Sequence, residues 1–147
     1  VDYYHLKSDE VFFVSQKALI AQDNQLLILR ASDSTNLWEL PGGLLEMDEE
    51  MPTGLLREVA EETGLAVTVG AISSVWDHHL DAFTFRDGRT MAVRLMLMAY
   101  HCTPLSFAIA LSAEHDAFHW LEESEFPQYH FAVSSEQAIQ TFFRQFQ

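Results

Sequence analysis

The chain alternates between apolar runs and short polar interruptions. Residues 11–21 and 25–29 are rich in apolar positions and are separated by Asp23-Asn24, a pair suited to a tight turn, so the pattern predicts a β-hairpin. Asp33, Ser34, Thr35 and Asn36 then form a polar loop, residues 38–40 read as a short strand, and Pro41-Gly42-Gly43 opens a specialised loop. Proline lacks an N–H donor and glycine tolerates positive φ, so ordinary sheet pairing should stop there. From about residue 50 to residue 63 the pattern is helical: Pro52 falls in the first turn, Leu55, Leu56, Val59, Ala60 and Thr63 cover one broad side, and Gly64 suits the position after the last turn. Gly54 sits inside that helix, where glycine costs roughly 1 kcal/mol relative to alanine. Its presence predicts close packing against a sheet or loop.

Residues 65–69 and 72–76 read as two short strands, and 83–85 faces 90–100 across Asp87-Gly88, a favourable hairpin turn. In the second limb Met91, Val93, Leu95 and Leu97 alternate with Ala92, Arg94, Met96 and Met98, so neither face is consistently polar. That predicts a central strand with a helix over each face. Residues 105–111 and 117–121 are further strand candidates. Ser134 or Ser135 is placed to cap a terminal helix in which Ile139, Phe142, Phe143 and Phe146 recur at helical spacing. Such a stripe normally packs in its own domain; a homodimer or ligand surface is its other use.

Composition narrows the class. A chain of 147 residues, 48% hydrophobic and 20% charged, fits one globular domain spanning 1–147. The one cysteine, Cys102, leaves no internal disulfide and no cysteine-rich zinc module, which favours a reducing, cytoplasmic location. No run of 18 apolar residues occurs, and Val1-Asp2-Tyr3-Tyr4-His5 lacks the basic-then-apolar order of a secretion signal, so no membrane association is expected. Eight Lys and Arg against 22 Asp and Glu give a net charge of -14, which argues against gripping extended nucleic acid or anionic lipid by bulk charge. The acids are unevenly placed: eight of the 22 fall within residues 39–62, where Arg57 is the only basic residue.

On a helix, residues spaced at 100° put Glu58 at 0°, Glu62 at about 40° and Glu61 at about −60°, so three carboxylates share one face. Like charges at these spacings, near a helix C-terminus, repel one another and the helix dipole. A hard divalent cation such as Mg²⁺ or Mn²⁺ would reverse the sign of that penalty. Gly42 and Gly43 let the backbone approach a ligand or ion closely, and Glu49 is placed to cross the loop and pair with Arg57. Direct phosphate binding is the alternative role for Arg57.

These residues carry a family resemblance. Gly43, five residues, Glu49, seven residues, then Arg57-Glu58-Val59-Ala60-Glu61-Glu62-Thr63-Gly64-Leu65, preceded by Trp38 and Leu40-Pro41-Gly42-Gly43, resembles the signature of the Nudix hydrolase family in its MutT-like form. The resemblance implies an α/β/α sandwich with a curved mixed sheet and a loop-helix-loop catalytic element. It also implies that Glu58, Glu61 and Glu62 bind metal, that Glu58 can share the base function, and that Glu49 and Arg57 support the loop. The implied reaction is Mg²⁺- or Mn²⁺-assisted hydrolysis of a nucleoside diphosphate linked to another moiety. Two or more ions are expected with substrate, because an anionic phosphate must approach several carboxylates.

Outside the signature, Glu114 is the first candidate for an extra metal ligand or base, with Glu122 and Glu123 behind it. Arg30, Arg94 and His78 are candidates for substrate contact, and Trp38, Trp76, Phe83, Phe85 or Trp120 for stacking on a base. The expected activity is pyrophosphohydrolysis of a nucleoside or deoxynucleoside triphosphate. Nucleotide sugars and dinucleoside polyphosphates are the enzymatic alternatives, and a noncatalytic nucleotide-binding regulator is the alternative of a different class.

Overall fold

A computed structural model describes residues 10–145. Residues 1–5 and Phe146, which entered the reading of the sequence, lie outside the described residues. The elements in order are β1 (Phe12–Gln22), β2 (Gln25–Ala31), β3 (Trp38–Glu39), β4 (Gly42–Leu44), α1 (Met51–Thr63), β5 (Val67–Thr84), β6 (Thr90–Pro104), β7 (His115–Leu121), a 3₁₀ turn (Glu123–Gln128) and α2 (Glu136–Gln145). The sheet runs β3-β2-β1-β6-β5, with β4 added to β1 and β7 added to β2. The β1–β6 pair is parallel and the other pairs are antiparallel, so the sheet is mixed.

The β1–β2 hairpin turns through Asp23 and Asn24, both at positive φ. The two strands pair only at Ala21↔Leu26 and Gln22↔Gln25. Below that point β1 takes β4 as its partner, with Lys17 opposite Gly42, while β2 continues with β3 and β7. The sheet therefore divides around β4.

Each face carries one helix. Ile139, Phe142 and Phe143 of α2 pack on Leu19, Ile28 and Leu97, whereas Leu55 and Val59 of α1 pack on Ile20, Leu29 and Tyr100. The described part of the α2 stripe, Ile139, Phe142 and Phe143, is thus taken up by the chain's own core. The double covering of β6 is confined to its second half: Leu97 and Ala99 enter one core and Tyr100 and Cys102 the other, while Ala92 and Arg94 are exposed. Cys102 is an inert core thiol, pushed up to about 12 by burial.

Several elements differ from the sequence pattern. The two strands expected at 65–69 and 72–76 are one strand, β5, which stays paired to β6 through irregularities at Val69/Ile72, Ile72/Ser74 and Leu80/Phe83. Bulges absorb the interruption at Gly70. Residues 105–111 are not a strand. The Ala110 N–H donates to Thr63 O at 2.8 Å and the Ser112 N–H to Glu62 O at 3.3 Å, so this segment satisfies carbonyls that the end of α1 leaves open. On α1, Leu56 is 40% exposed and Ala60 is exposed, while Gly54 and Glu62 are buried beside Leu55, Val59 and Thr63. The helix is rotated from its purely apolar orientation because Glu62 is held inward by a backbone donor.

Candidate active site

The site is assembled where β4 meets α1. Helix α1 starts after Glu50 with Pro52 in its first turn, and ends at Gly64, whose φ of 72° and N–H bond to Ala60 O close the last turn. The helix therefore presents Glu58, Glu61 and Glu62 in its C-terminal half. Gly42 donates its N–H to Glu62 Oε2 at 2.9 Å. Its φ is 143°, and a Cβ there would stand 2.0 Å from Gln16 O, so no side chain fits. A Cβ on Gly43 would stand 2.8 Å from the Glu58 carboxyl. The glycine pair is the space in which two carboxylates of α1 approach the backbone.

Arg57 ties the loop to the helix. Its Nε and Nη2 donate to Glu49, the latter at 3.1 Å, its Nη2 also to Glu58 Oε1 at 3.1 Å, and its Nη1 to Glu61 Oε2 at 3.1 Å. Glu49 Oε2 further accepts the Glu46 N–H at 3.1 Å. A Cβ on Gly54 would lie 2.7 Å from Glu49 Oε2, which accounts for a glycine inside the helix: it leaves room for the Glu49–Arg57 pair.

The electrostatics are uneven across the three carboxylates. Glu62 is 6% exposed, and burial pushes it up to about 7, against the opposing Gly42 N–H and the charges of Lys17 and His115. Burial also raises Glu58; Arg57 opposes the rise, while Glu61 and Glu114 add to it. The Glu61 side chain is 58% exposed. Burial and mutual repulsion leave Glu58 and Glu62 short of positive charge, and their oxygen-only donor set fits Mg²⁺ or Mn²⁺. Among the described residues no three His, Cys, Asp or Glu side chains converge as a ready-made ion cage, because Arg57 stands between Glu58 and Glu61.

The remaining sequence candidates are distributed. Glu114 is exposed, its backbone fixed by the Ser32 N–H at 2.9 Å, and its charge reaches both Glu58 and His115. Glu122 bonds Gln25 and caps the 3₁₀ turn that Glu123 begins. Arg30 pairs with Asp116 at 2.7 Å and lies over the Trp38 ring at 5.8 Å. Arg94 pairs with Asp77 at 3.5 Å; it sits opposite Phe12, five residues before Lys17 on β1 and so about 16 Å away along the strand. His78 lines a hollow of about 530 Å³ with Trp76, Val133 and the exposed side of α2. None of these three is bonded to an α1 carboxylate among the described residues. Of the proposed stacking rings, Trp76 and Trp120 belong to the two cores, and Phe83 and Phe85 pack with Phe13.

A buried polar group beneath the loop went unread. Lys17 is 3.9 Å from Glu39 Oε2, and Glu39 Oε1 is 2.8 Å from His115 Nε2. Burial works to raise Glu39, but the His115 bond and Lys17 outweigh it and leave the carboxyl below its usual range. For His115 burial works downward and is outweighed by Glu39 and Glu62. The available signal was Lys17 as the only charged residue of the run 11–21.

Comparisons with known proteins agree with this architecture. The NUDIX domain family matches residues 13–142. A MutT-like protein of Streptomyces ambofaciens is 35% identical over 107 residues, covering 73% of this chain and 61% of that protein, so the match spans less than two thirds of that relative. The CTP pyrophosphohydrolase of Escherichia coli K12 is 31% identical over 128 residues, covering 85% of this chain and 87% of that protein. The crystal structure of a MutT protein from Methanosarcina mazei Go1 superposes with a TM-score of 0.76 at 22% identity, covering 96% of this chain and 99% of that one, and so shares its fold.

Proposed function

The chain belongs to the NUDIX domain family of hydrolases acting on phosphoanhydride bonds, and we propose that it is a Mg²⁺-dependent pyrophosphohydrolase that converts a nucleoside or deoxynucleoside triphosphate to the monophosphate and pyrophosphate. The observation that carries this reading is the placement of Glu58 and Glu62, two carboxylates raised by burial, against Gly43 and Gly42. The similarity to a CTP pyrophosphohydrolase supports the substrate class.

Glu58, Glu61 and Glu62 would hold Mg²⁺ or Mn²⁺. Such a cation, when bound, offsets phosphate charge and makes water a better nucleophile. The chain's own residues do the rest. Gly42 orients Glu62 through its N–H, and Arg57 holds Glu58 Oε1 and Glu61 Oε2 in register with the loop. Glu114, whose charge reaches Glu58, is assigned the proton of the attacking water. Ile139, Phe142 and Phe143 of α2 pack within the chain's own core, and a buried free thiol at Cys102 accords with the cytoplasm.

A panel of nucleoside triphosphates, nucleotide sugars and dinucleoside polyphosphates, assayed with Mg²⁺ and Mn²⁺, tests the proposal. The expected outcome is monophosphate plus pyrophosphate from a triphosphate, and a loss of at least a hundredfold in Glu61→Gln. Nucleotide binding without turnover across the panel would sink it in favour of a regulatory module.

A further inference from the structure

The peptide of Leu40 is gripped at both ends. Its N–H donates to Ser135 Oγ at 2.9 Å, across 95 residues of sequence. Its carbonyl accepts from Lys17 Nζ at 3.5 Å, and the next carbonyl, Pro41 O, accepts the Ala18 N–H at 2.8 Å. Ser135 is 0% exposed, Leu40 1% and Lys17 5%. Burying a serine hydroxyl and a lysine ammonium is costly unless each has a task that repays desolvation. Here both converge on one residue, two before Gly42, and Gly42 is the donor that holds Glu62.

The two grips come from different parts of the fold. Lys17 lies on β1, directly across the β1–β4 ladder from Gly42, and the same ammonium faces Glu39 at 3.9 Å. Ser135 immediately precedes α2, and its carbonyl accepts the Ile139 N–H at 3.1 Å, which locks it to the first turn of that helix. The sequence suggests a helix cap at Ser134 or Ser135, yet the Ser135 hydroxyl accepts from the Leu40 N–H, and Leu40 shares one core with Ala138 and Ile139 of α2.

We propose that Ser135 and Lys17 are positioning residues that clamp the Leu40 peptide and thereby set the Gly42 N–H against Glu62, coupling the start of α2 to the carboxylate site. The proposal rests on the functional reading above for its catalytic consequence, but not for the clamp itself. With the clamp released, Leu40-Pro41-Gly42 gains freedom, the Gly42 N–H no longer holds Glu62 in place, and the face that receives a cation is less organised before binding.

Ser135→Ala and Lys17→Met, with Ser134→Ala as a neighbouring control, separate this from a general loss of packing. Three readouts apply: amide hydrogen exchange of Gly42 relative to Leu19 in the core, the affinity of the nucleotide-free protein for Mn²⁺ alone, and kcat and KM measured separately. Expected for both variants is faster exchange at Gly42 with Leu19 unchanged; for Ser135→Ala, which leaves the charge beside Glu62 intact, Mn²⁺ affinity should also be lower by about fivefold to tenfold, with a similar fall in kcat and KM within about twofold. The control should match the parent. Unchanged Gly42 exchange in a folded Ser135→Ala or Lys17→Met protein overturns the clamp. Faster exchange at Gly42 in the two variants, when the parent itself neither binds Mn²⁺ nor turns over nucleotides, upholds the clamp and removes the functional reading instead.

Discussion

Glu62 Oε2 and the Gly42 amide nitrogen lie 2.9 Å apart across a span of 20 residues, and this contact joins the glycine loop to the acidic helix. It places a carboxylate where burial opposes its charge, so the contact is a stored demand for positive charge rather than a source of stability. Arg57 pairs with Glu58 and Glu61 but leaves Glu58 raised by burial; for Glu62 the neighbouring cation is Lys17.

The first prediction concerns pH. Glu62 is raised from 4.5 to about 7, so between those values the folded state binds the proton that the unfolded state releases. Stability therefore falls as pH rises from about 4.5 to about 7, and the full penalty, on the order of 3 kcal/mol before relaxation, stands above that window. Denaturant midpoints of the metal-free protein should be higher at pH 5.5 than at pH 8, and Glu62→Gln should flatten that slope. Added Mg²⁺ should restore stability mainly at pH 8. A metal-free midpoint that rises from pH 5.5 to pH 8 in the parent would contradict the burial argument.

A second prediction isolates space from charge. Gly43→Ala introduces a Cβ 2.8 Å from the Glu58 carboxyl, in a backbone conformation that alanine can adopt. The fold should survive with a change within about 1 kcal/mol, while kcat falls by about a hundredfold because Glu58 is displaced. Near-parent turnover in a crystal-verified Gly43→Ala protein would mean that Glu58 acts from another position.

Gly54→Ala sets two local effects against each other. Alanine favours the helix by roughly 1 kcal/mol, but its Cβ would press on Glu49 Oε2 at 2.7 Å and on Leu45 Cδ1 at 3.1 Å. The expected result is a nearly unchanged unfolding midpoint with a clear loss of activity, since Arg57 loses its principal partner. A stabilised protein of full activity would show that the Glu49–Arg57 pair is dispensable.

The sequence made one part of this site readable and hid another for a physical reason. Glu58, Glu61 and Glu62 were visible because an acidic face on a helix is locally unfavourable, and an unfavourable pattern invites an explanation. Gly54 was legible in the same way. Lys17, Glu39 and Ser135 were not, because they lie 17, 39 and 135 residues along the chain and meet only through the division of the sheet at β4. Their local patterns, a strand residue, a strand end and a helix start, look ordinary. The segment 105–111 differs for a related cause: Ile109 and Leu111 do face a core, while Leu105 and Phe107 are exposed, and the Ala110 N–H is taken by the end of α1 rather than by a strand. Local periodicity registers burial and leaves the hydrogen-bond partner open.

The last prediction tests what Arg57 does. Its Nε and Nη2 grip Glu49, while Nη2 and Nη1 reach Glu58 and Glu61, a division of donors that a planar guanidinium provides and an ammonium does not. Arg57→Lys keeps the charge, so a role limited to screening the carboxylates or attracting phosphate should survive it in large part. If instead the fork geometry organises the loop, Arg57→Lys and Glu49→Gln should each lower kcat by more than about tenfold, and the double variant should be little worse than either single one. Fully additive losses, or a Lys variant close to the parent, would assign Arg57 to charge alone. The pair also predicts an acid limb: Glu49 is held below the ordinary carboxylate range by Arg57 and the Glu46 N–H, so the pair should persist as pH falls through 4.5 and be lost only below it. Loop order, read as protection of the Glu46 amide, should therefore survive at pH 4.5 in the parent and be weaker and independent of pH in this range in Glu49→Gln.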